Sequence, residues 1–301
     1  MKSAFVSGGL KNIVRGVSSL QKGYDFMKFA NLHLHSTCSD AEFAPHLLPR
    51  LGKALGYKAL ALTDHETDAG CKIFCRSCKE EGILCITGAE FYGKVNGTNC
   101  HLTALDFDPN EPTLRAYIQE RCDLAYEHTR RCFQAGVESG SIREFTWQEV
   151  LDQTHPDAWF CYDTVLNAMQ ARHRDITGVK EVFTSPEAKA CKPAYPDART
   201  VIEAVRKAEG IIALAHPGEK GLMEMPTLVE WGLNGIETSH PNIPEDRLPL
   251  CLEAAEHFGL YRCGGTDHTG PMSAVGGKYA VPADNGLTEE EFYFLTERRL
   301  G

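Results

Sequence analysis

From Met27 onward, short apolar runs that stop at polar residues alternate with amphipathic stretches. "YKALALTDH", "GILCITGAE", "CHLTALDF", "GIIALAHPG", "NGIETSHP" and "LYRCGGTDHTG" read as strands,. The run "KFANLHLH" before them reads as a first, shorter one. Between them, "ARTVIEAVRKAEG" and "EDRLPLCLEAAEHFG" have helical periodicity, and each ends at a glycine,. Strands alternating with helices predict an α/β domain built on a mostly parallel sheet. Residues 108–195 break this rhythm. "TLRAYIQERCDLAYEHTRRCFQAGV" and "TWQEVLDQTHPDAWFCYDTVLNAMQARH" predict helices only. The pattern therefore divides the chain into an extension (1–26), an α/β domain (27–107 and 196–301) and a helical insertion (108–195) placed to act as a lid over the strand ends.

Polar residues of a particular kind gather where the apolar runs stop. His65, Glu90, His216, Asp267 and His268 all fall at the C-terminal ends of predicted strands, where parallel α/β folds place their chemistry,. In "NLHLHSTCSD", His33 and His35 stand two apart on a strand and so share one face, with Asp40 in the turn beyond,. Core packing needs neither imidazole nor carboxylate. Both are the usual ligands of zinc, manganese and iron, which points to a metal centre.

The 301 residues, 43% of them hydrophobic, suffice for one barrel-sized core with an insertion,. A formal charge of −10 disfavours an extended nucleic acid as the main partner, while leaving room for a small anion in a metal-lined pocket,. No apolar run is long enough to span a bilayer. The twelve cysteines, without a secretory segment, read as reduced thiols of a cytoplasmic protein,. Cys71, Cys75 and Cys78 have the spacing of an iron–sulfur motif, but i, i+4 and i+7 also make one helical face, and a buried face of small apolar thiols is the expectation. Residues 1–26 carry Lys2, Lys11, Arg15 and Lys22 with no acid before Asp25, and are expected to be dispensable,.

The motifs "HLHSTCSD", "ALTDHETDAG", "GAEFYG", "CHLTAL", "LAHPG" and "GGTDHTG" occur in an order that resembles the PHP (polymerase and histidinol phosphatase) family of metal-dependent phosphoesterases, over about residues 29–275 and most of all its small bacterial nucleotide-phosphatase branch. The resemblance implies a distorted (β/α)7 TIM-like barrel with two to three divalent metals (Mn, Zn or Fe) at the strand ends. It implies one metal on His33, His35, Glu90 and Asp267, a second on Glu90, His101 and His216, and a third on Asp40, His65 and His268. Two departures stand out: Ala41 follows Asp40 where the family usually has glycine, and Asp267 and His268 are adjacent where many members have one residue between them.

The expectation for function is a phosphatase acting on a small phosphomonoester, a nucleoside monophosphate or 3′,5′-bisphosphate. Its attacking hydroxide would bridge two metals joined by Glu90, with Asp267 beside it. His240 is expected at the pocket rim as a phosphate donor or leaving-group acid. Lys192 is expected to contact phosphate from the lid, with Trp159, Phe160 and Tyr162 available to stack on a base. The other readings are a histidinol-phosphate or sugar phosphatase, an exonuclease on short oligonucleotides, and a non-catalytic metal-binding module. His46, His128, His155, His173 and His257 read as ordinary helix or insertion residues.

Overall fold

The computed structural model describes residues 29–270 and 285–297. The expected 1–26 extension lies outside them. The first part of the chain builds a three-stranded parallel sheet from β1 (Ala30–Asn31), β2 (Ala59–Ala61) and β3 (Leu84–Ile86), with α1 (Leu48–Ala54) and α2 (Cys71–Glu81) as crossovers. The second sheet starts at once with β4 (Gly88–Val95) and β5 (Thr98–Leu105). Asn96 and Gly97 between them both have positive φ (48° and 85°), the two-residue turn that Asn-Gly favours,. This hairpin makes β4 and β5 antiparallel.

The chain then leaves the sheet for α3 (Pro112–Ser139), α4 (Trp147–Leu151), α5 (Tyr162–Ala171), α6 (Val179–Thr184) and α7 (Pro186–Ala190). It returns through α8 (Ala198–Lys207) to β6 (Ile211–Leu214). Next come α9 (Glu219–Met223), α10 (Met225–Glu230), β7 (Gly235–Ser239), α11 (Leu248–Phe258), β8 (Tyr261–Gly264) and α12 (Glu289–Thr296). The five strands lie in the order β4-β5-β6-β7-β8, antiparallel up to β6 and parallel beyond it.

The barrel expectation needs correction. Two separate sheets are present rather than one closed ring of strands. Single bridges span the gap on each side, His65 to Glu90 and Leu34 to His268. The ladders stop there because side chains take over the backbone's hydrogen bonds. Leu34 N–H donates to Thr63 Oγ1 (3.1 Å) and Ser36 N–H to Asp64 Oδ1 (2.7 Å). The two sheets share one core of small residues, in which Ala30, Leu32, Ala59 and Ala61 meet Leu105, Ile211, Ala213 and Cys263, with Phe292 and Leu295 of α12 packed against them. A larger cluster packs α8, α10 and α11 on the outside of the second sheet. The α3–α6 region has a cluster of its own, around Phe133, Phe145, Val150, Phe160 and Met169.

The cysteines also depart in part from expectation. Cys71 and Cys78 are buried on α2, as a packing face requires, but Cys75 forms a disulfide with Cys85 of β3. The strand that follows the helix runs back alongside it, so two distant thiols meet. The remaining ten described cysteines are free.

Candidate metal centre

β1, β2, β4, β5, β6 and β8 all deliver side chains to one point between the two sheets. Glu90 is at its centre, 1% exposed. Its Oε1 lies 3.1 Å from His101 Nδ1 and 3.1 Å from His216 Nε2. Its Oε2 lies 3.4 Å from His33 Nε2, 3.4 Å from His35 Nε2 and 3.1 Å from His65 Nδ1. One carboxylate thus faces a pair of imidazoles with one oxygen and three with the other. Asp267 Oδ1 approaches His35 Nε2 at 3.1 Å and His33 Nε2 at 3.7 Å. Asp40 brackets the far side, with Oδ1 3.4 Å from His35 Nδ1 and Oδ2 3.6 Å from His65 Nε2.

These spacings suit metal ions. Ligands held 2.0–2.2 Å from an ion stand roughly 3.0–3.4 Å from one another in tetrahedral or octahedral shells. His33 Nε2 and His35 Nε2 are 3.2 Å apart, two ring nitrogens aimed at the same place. Nδ1 of His35 and Nδ1 of His65 are buried and make no hydrogen bond, although carboxylate oxygens stand close by. Buried nitrogen that faces oxygen without bonding to it is what a donor set shows when its common partner is a cation.

The backbone is bent to make this possible. His216 and Asp267 have φ of 30° and 51°, and Glu66, next to His65, has 56°. Residues without a glycine's freedom pay for such conformations and hold them where the surroundings impose them, commonly at functional sites. Gly265 serves the same end by close approach, since a Cβ there would come within 2.4 Å of His33 N.

Three of the expected residues sit differently. Glu90 is at the start of β4 rather than at a C-terminal strand end, because "GILCITGAE" divides into β3 and β4. His101 is in the first half of β5 rather than at a C-terminal strand end, because the hairpin reverses the strand. Glu90, Tyr92, His101 and Thr103 then share a face across the β4–β5 ladder, Glu90 opposite Thr103 and Tyr92 opposite His101,. His268 does not join Asp40 and His65. The left-handed turn at Asp267 sends it elsewhere, its ring stacks on Phe43 at 5.7 Å, and His35 stands beside Asp40 and His65 in its place.

His240 is a further correction. It is buried, not at a rim. Its Nδ1 accepts the Asn242 N–H (2.9 Å), which in the neutral ring leaves the proton on Nε2, 3.3 Å from Asp267 Oδ2,. Burial pushes its pKa down, so the neutral form prevails. It orients a candidate ligand and is not placed to meet a leaving group.

Sequence reasoning missed two buried carboxylates behind the cluster. Glu237 on β7 is fully buried, accepts from His33 Nδ1 at 2.6 Å, from His216 N–H at 2.6 Å and from Thr103 Oγ1 at 3.1 Å. Burial opposes its charge, yet His33, through its charge and its hydrogen bond, outweighs burial and holds it near 2. It fixes the tautomer that turns His33 Nε2 inward. Asp64 accepts from Ser36 N–H, Ser36 Oγ and Ser39 Oγ and so shapes the loop that carries Asp40. An acid inside a short apolar strand, as in "GIETS", is the signal that could have found Glu237.

Beside Asp40 a cavity of about 300 Å³ opens between this centre and the helices of 112–190. Tyr92, Trp159 and Tyr195 line one wall, while Arg121, Lys180 and Lys192 supply positive charge. Tyr92 stacks on His65 (4.9 Å) and on Tyr195 (4.6 Å), so the aromatic wall continues into the metal cluster. Lys192 lies where expected. Phe160 and Tyr162 also line the cavity, but Phe160 belongs mainly to the helical core. The helices are fastened to the loops of the centre itself. Trp159 N–H donates to Cys38 O (2.9 Å), Asn167 Nδ2 to Ala41 O (2.8 Å) and Thr67 Oγ1 to Asp157 O (2.9 Å). Arg121 pairs with Glu66 at 3.0 Å.

Comparison with known proteins agrees with this geometry. The PHP domain model matches residues 31–228. A 5′-3′ exoribonuclease of Haemophilus influenzae is 29% identical over 81% of this chain and 91% of its own length. A 3′,5′-nucleoside bisphosphate phosphatase of Chromobacterium violaceum is 25% identical over 86% of this chain and 91% of its own. A phosphoribosyl 1,2-cyclic phosphate 1,2-diphosphodiesterase of Eggerthella lenta is 25% identical over 81% and 95%. Among solved structures, a Bifidobacterium adolescentis protein named as a candidate metal-dependent phosphoesterase shares the fold with a TM-score of 0.73 at 21% identity, over 90% of this chain and 96% of its own. The chain belongs to the PHP domain family of metal-dependent phosphoesterases.

Proposed function

We propose that the protein hydrolyses the phosphomonoester of a small nucleotide, a nucleoside monophosphate or 3′,5′-bisphosphate. The observation that carries this reading is the cavity beside Asp40, which joins the imidazole–carboxylate cluster to an aromatic wall and three cationic side chains. At about 300 Å³ it is at the small end of ligand sites and suits one nucleotide rather than a polymer,.

His33, His35, Glu90 and Asp267 would hold one divalent ion, Glu90, His101 and His216 a second, and Asp40 and His65, with His35 adjoining, a third. Such ions supply Lewis acidity and a water of lowered pKa. The protein's own residues do the rest. Glu237 and His240 fix His33 and Asp267 in their orientations. Arg121, Lys180 and Lys192 attract the phosphoryl group and offset charge on its oxygens. Trp159 and Tyr195 offer faces to a base, and Tyr92, stacked between His65 and Tyr195, backs them,. Phe160, Phe183 and Pro193 add apolar lining to the cavity.

The exoribonuclease relative favours a second reading, hydrolysis of a short oligonucleotide from its 5′ end, on the same centre. Phosphate release from nucleoside monophosphates, 3′,5′-bisphosphates, histidinol phosphate and sugar phosphates, measured with manganese beside cleavage of a short single-stranded RNA, separates the two. The mononucleotides are expected to turn over fastest. Faster cleavage of the RNA, or of histidinol phosphate, replaces the nucleotide-phosphatase reading and leaves the metal chemistry standing.

A further inference from the structure

Away from the Glu90 cluster, two thiols and an imidazole meet on the helices of the insertion. His128 and Cys132 are one turn apart on α3 and share its face,. Cys191 caps the C-terminus of α7 and comes to meet them. His128 Nδ1 is 3.5 Å from Cys191 Sγ, and His128 Nε2 is 3.8 Å from Cys132 Sγ. One ligand atom from each of the three lies within 4.8 Å of the other two. Zinc–sulfur bonds of about 2.3 Å and zinc–nitrogen bonds of about 2.0–2.1 Å would put two sulfurs and a nitrogen roughly 3.5–3.8 Å apart around one ion. The two sulfurs face different nitrogens of the ring, so the imidazole has to turn to present one nitrogen to both, and that turn together with a rotation of the exposed Cys191 closes the shell from the present 4.8 Å.

The donor set is also chemically distinct. The Glu90 cluster offers imidazole and carboxylate and no sulfur, whereas this one offers sulfur and imidazole and no carboxylate. Thiolate donors select soft or borderline ions such as Zn²⁺ over Mg²⁺, Ca²⁺ or Mn²⁺. A divalent ion balanced by two thiolates adds no net charge beside Lys192.

We propose that His128, Cys132 and Cys191 form a thiolate–imidazole site for a single Zn²⁺ ion, separate from the Glu90 cluster. Cys132 and Cys191 each lose a proton on binding, and the fourth position is left for water. The ion joins α3 to the segment that follows α7. That segment carries Lys192, Pro193 and Tyr195, so the ion would hold one wall of the cavity in place. His128 itself lines the same wall.

Cobalt(II) tests this without reference to turnover. Bound to thiolate it gives an intense near-ultraviolet charge-transfer absorption, which the sulfur-free Glu90 cluster cannot produce. The full chain, reduced, stripped with chelator and titrated with Co²⁺, is expected to develop that absorption at one equivalent above the content of the Glu90 cluster. Cys191→Ser, an exposed position, should abolish it while the weaker visible absorption of cobalt in the Glu90 cluster persists, and Cys132→Ser should do the same. No charge-transfer absorption, or one that survives Cys191→Ser, overturns the site. So does peptide mapping that finds Cys132 and Cys191 joined as a disulfide in a protein that, once reduced, takes up no cobalt there.

Discussion

Glu90 meets five imidazoles while being almost wholly buried, so it cannot be replaced by a neutral group without leaving facing nitrogens uncompensated. Glu90→Gln is expected to lose metal, measured by elemental analysis, and to lose more activity than the roughly 10–100-fold typical of residues that only support a ligand. Glu237→Ala should fall within that 10–100-fold range for metal affinity, because it frees His33 Nδ1, while the more conservative Glu237→Gln recovers part of the loss. His268→Ala should keep its metal content, since its ring packs on Phe43 and stands outside the cluster. A drop in bound metal in His268→Ala would restore it to the ligand set. These residues also mark how far the sequence could be read. His33, His35, Asp40, His65 and Asp267 were legible because a strand's alternation and its end fix where a side chain points. His268 was not, because the positive φ at Asp267 breaks that alternation and no residue type announces it. Glu237 was hidden for another reason: it contributes a hydrogen bond behind a ligand, a role that many polar residues share in sequence.

Between elements, the insertion is joined to the loops of the centre by a buried ion pair. Arg121 on α3 donates Nε–H to Glu66 Oε2 (3.0 Å), and Tyr92 N–H donates to Glu66 Oε1 (2.7 Å). Burial still raises the Glu66 carboxyl to about 7 against these partners. Arg121→Ala removes the partner that keeps Glu66 ionised, so the carboxyl takes up a proton and the loss falls short of the about 3–5 kcal/mol of a stranded buried charge,. Denaturant unfolding should show that loss, and adding Glu66→Gln should restore part of it, because a neutral amide no longer needs the guanidinium. Strict additivity of the two substitutions would show that the pair does not couple the insertion to the centre. The Cys75–Cys85 disulfide closes a short loop, and chain entropy puts its contribution at up to about 3 kcal/mol,. Cys75→Ser should lower thermal stability accordingly and leave turnover in place. Neither feature followed from the pattern of helices and strands. The Asn96-Gly97 turn was visible as "VNGT", but alternation of strand and helix predicted parallel neighbours, and only the hairpin's brevity forbids them. The two-sheet arrangement was likewise beyond reach, since strands of two and three residues leave the ladder's continuity to side chains such as Thr63 and Asp64.

At the scale of the whole molecule, the centre sets how stability responds to pH, and metal should reverse the sign. Burial pulls His35 down, but Asp40, Asp267 and Glu90 outweigh it and raise the imidazole to about 9; His33 is raised for the same kind of reason, by Glu237, Glu90 and Asp267. A histidine with a folded pKa above its ordinary 6.5 contributes stability that is complete below 6.5 and is lost as pH rises through the folded value,. Glu237, held near 2 against an ordinary 4.5, contributes stability that is present above 4.5 and lost as pH falls towards 2,. The contributions of His33, His35 and Glu237 are together complete between about pH 4.5 and 6.5 and weaken towards pH 9 as the imidazoles lose their protons and the carboxylates are left facing one another, while His65, lowered by burial to about 4, costs stability as pH falls below 6.5,. Divalent ions take the place of those protons. Binding must release protons near pH 7, which isothermal titration in buffers of different ionisation enthalpy would record. Thermal unfolding with and without manganese, from about pH 6 to pH 9, is the direct comparison. The metal-free Tm should fall by several degrees across that range while the manganese-loaded Tm holds, so that the gap between them widens with pH. A metal-free Tm that stays flat would mean that the carboxylates do not hold protons on His33 and His35, and that the cluster is less tightly gathered than its distances indicate.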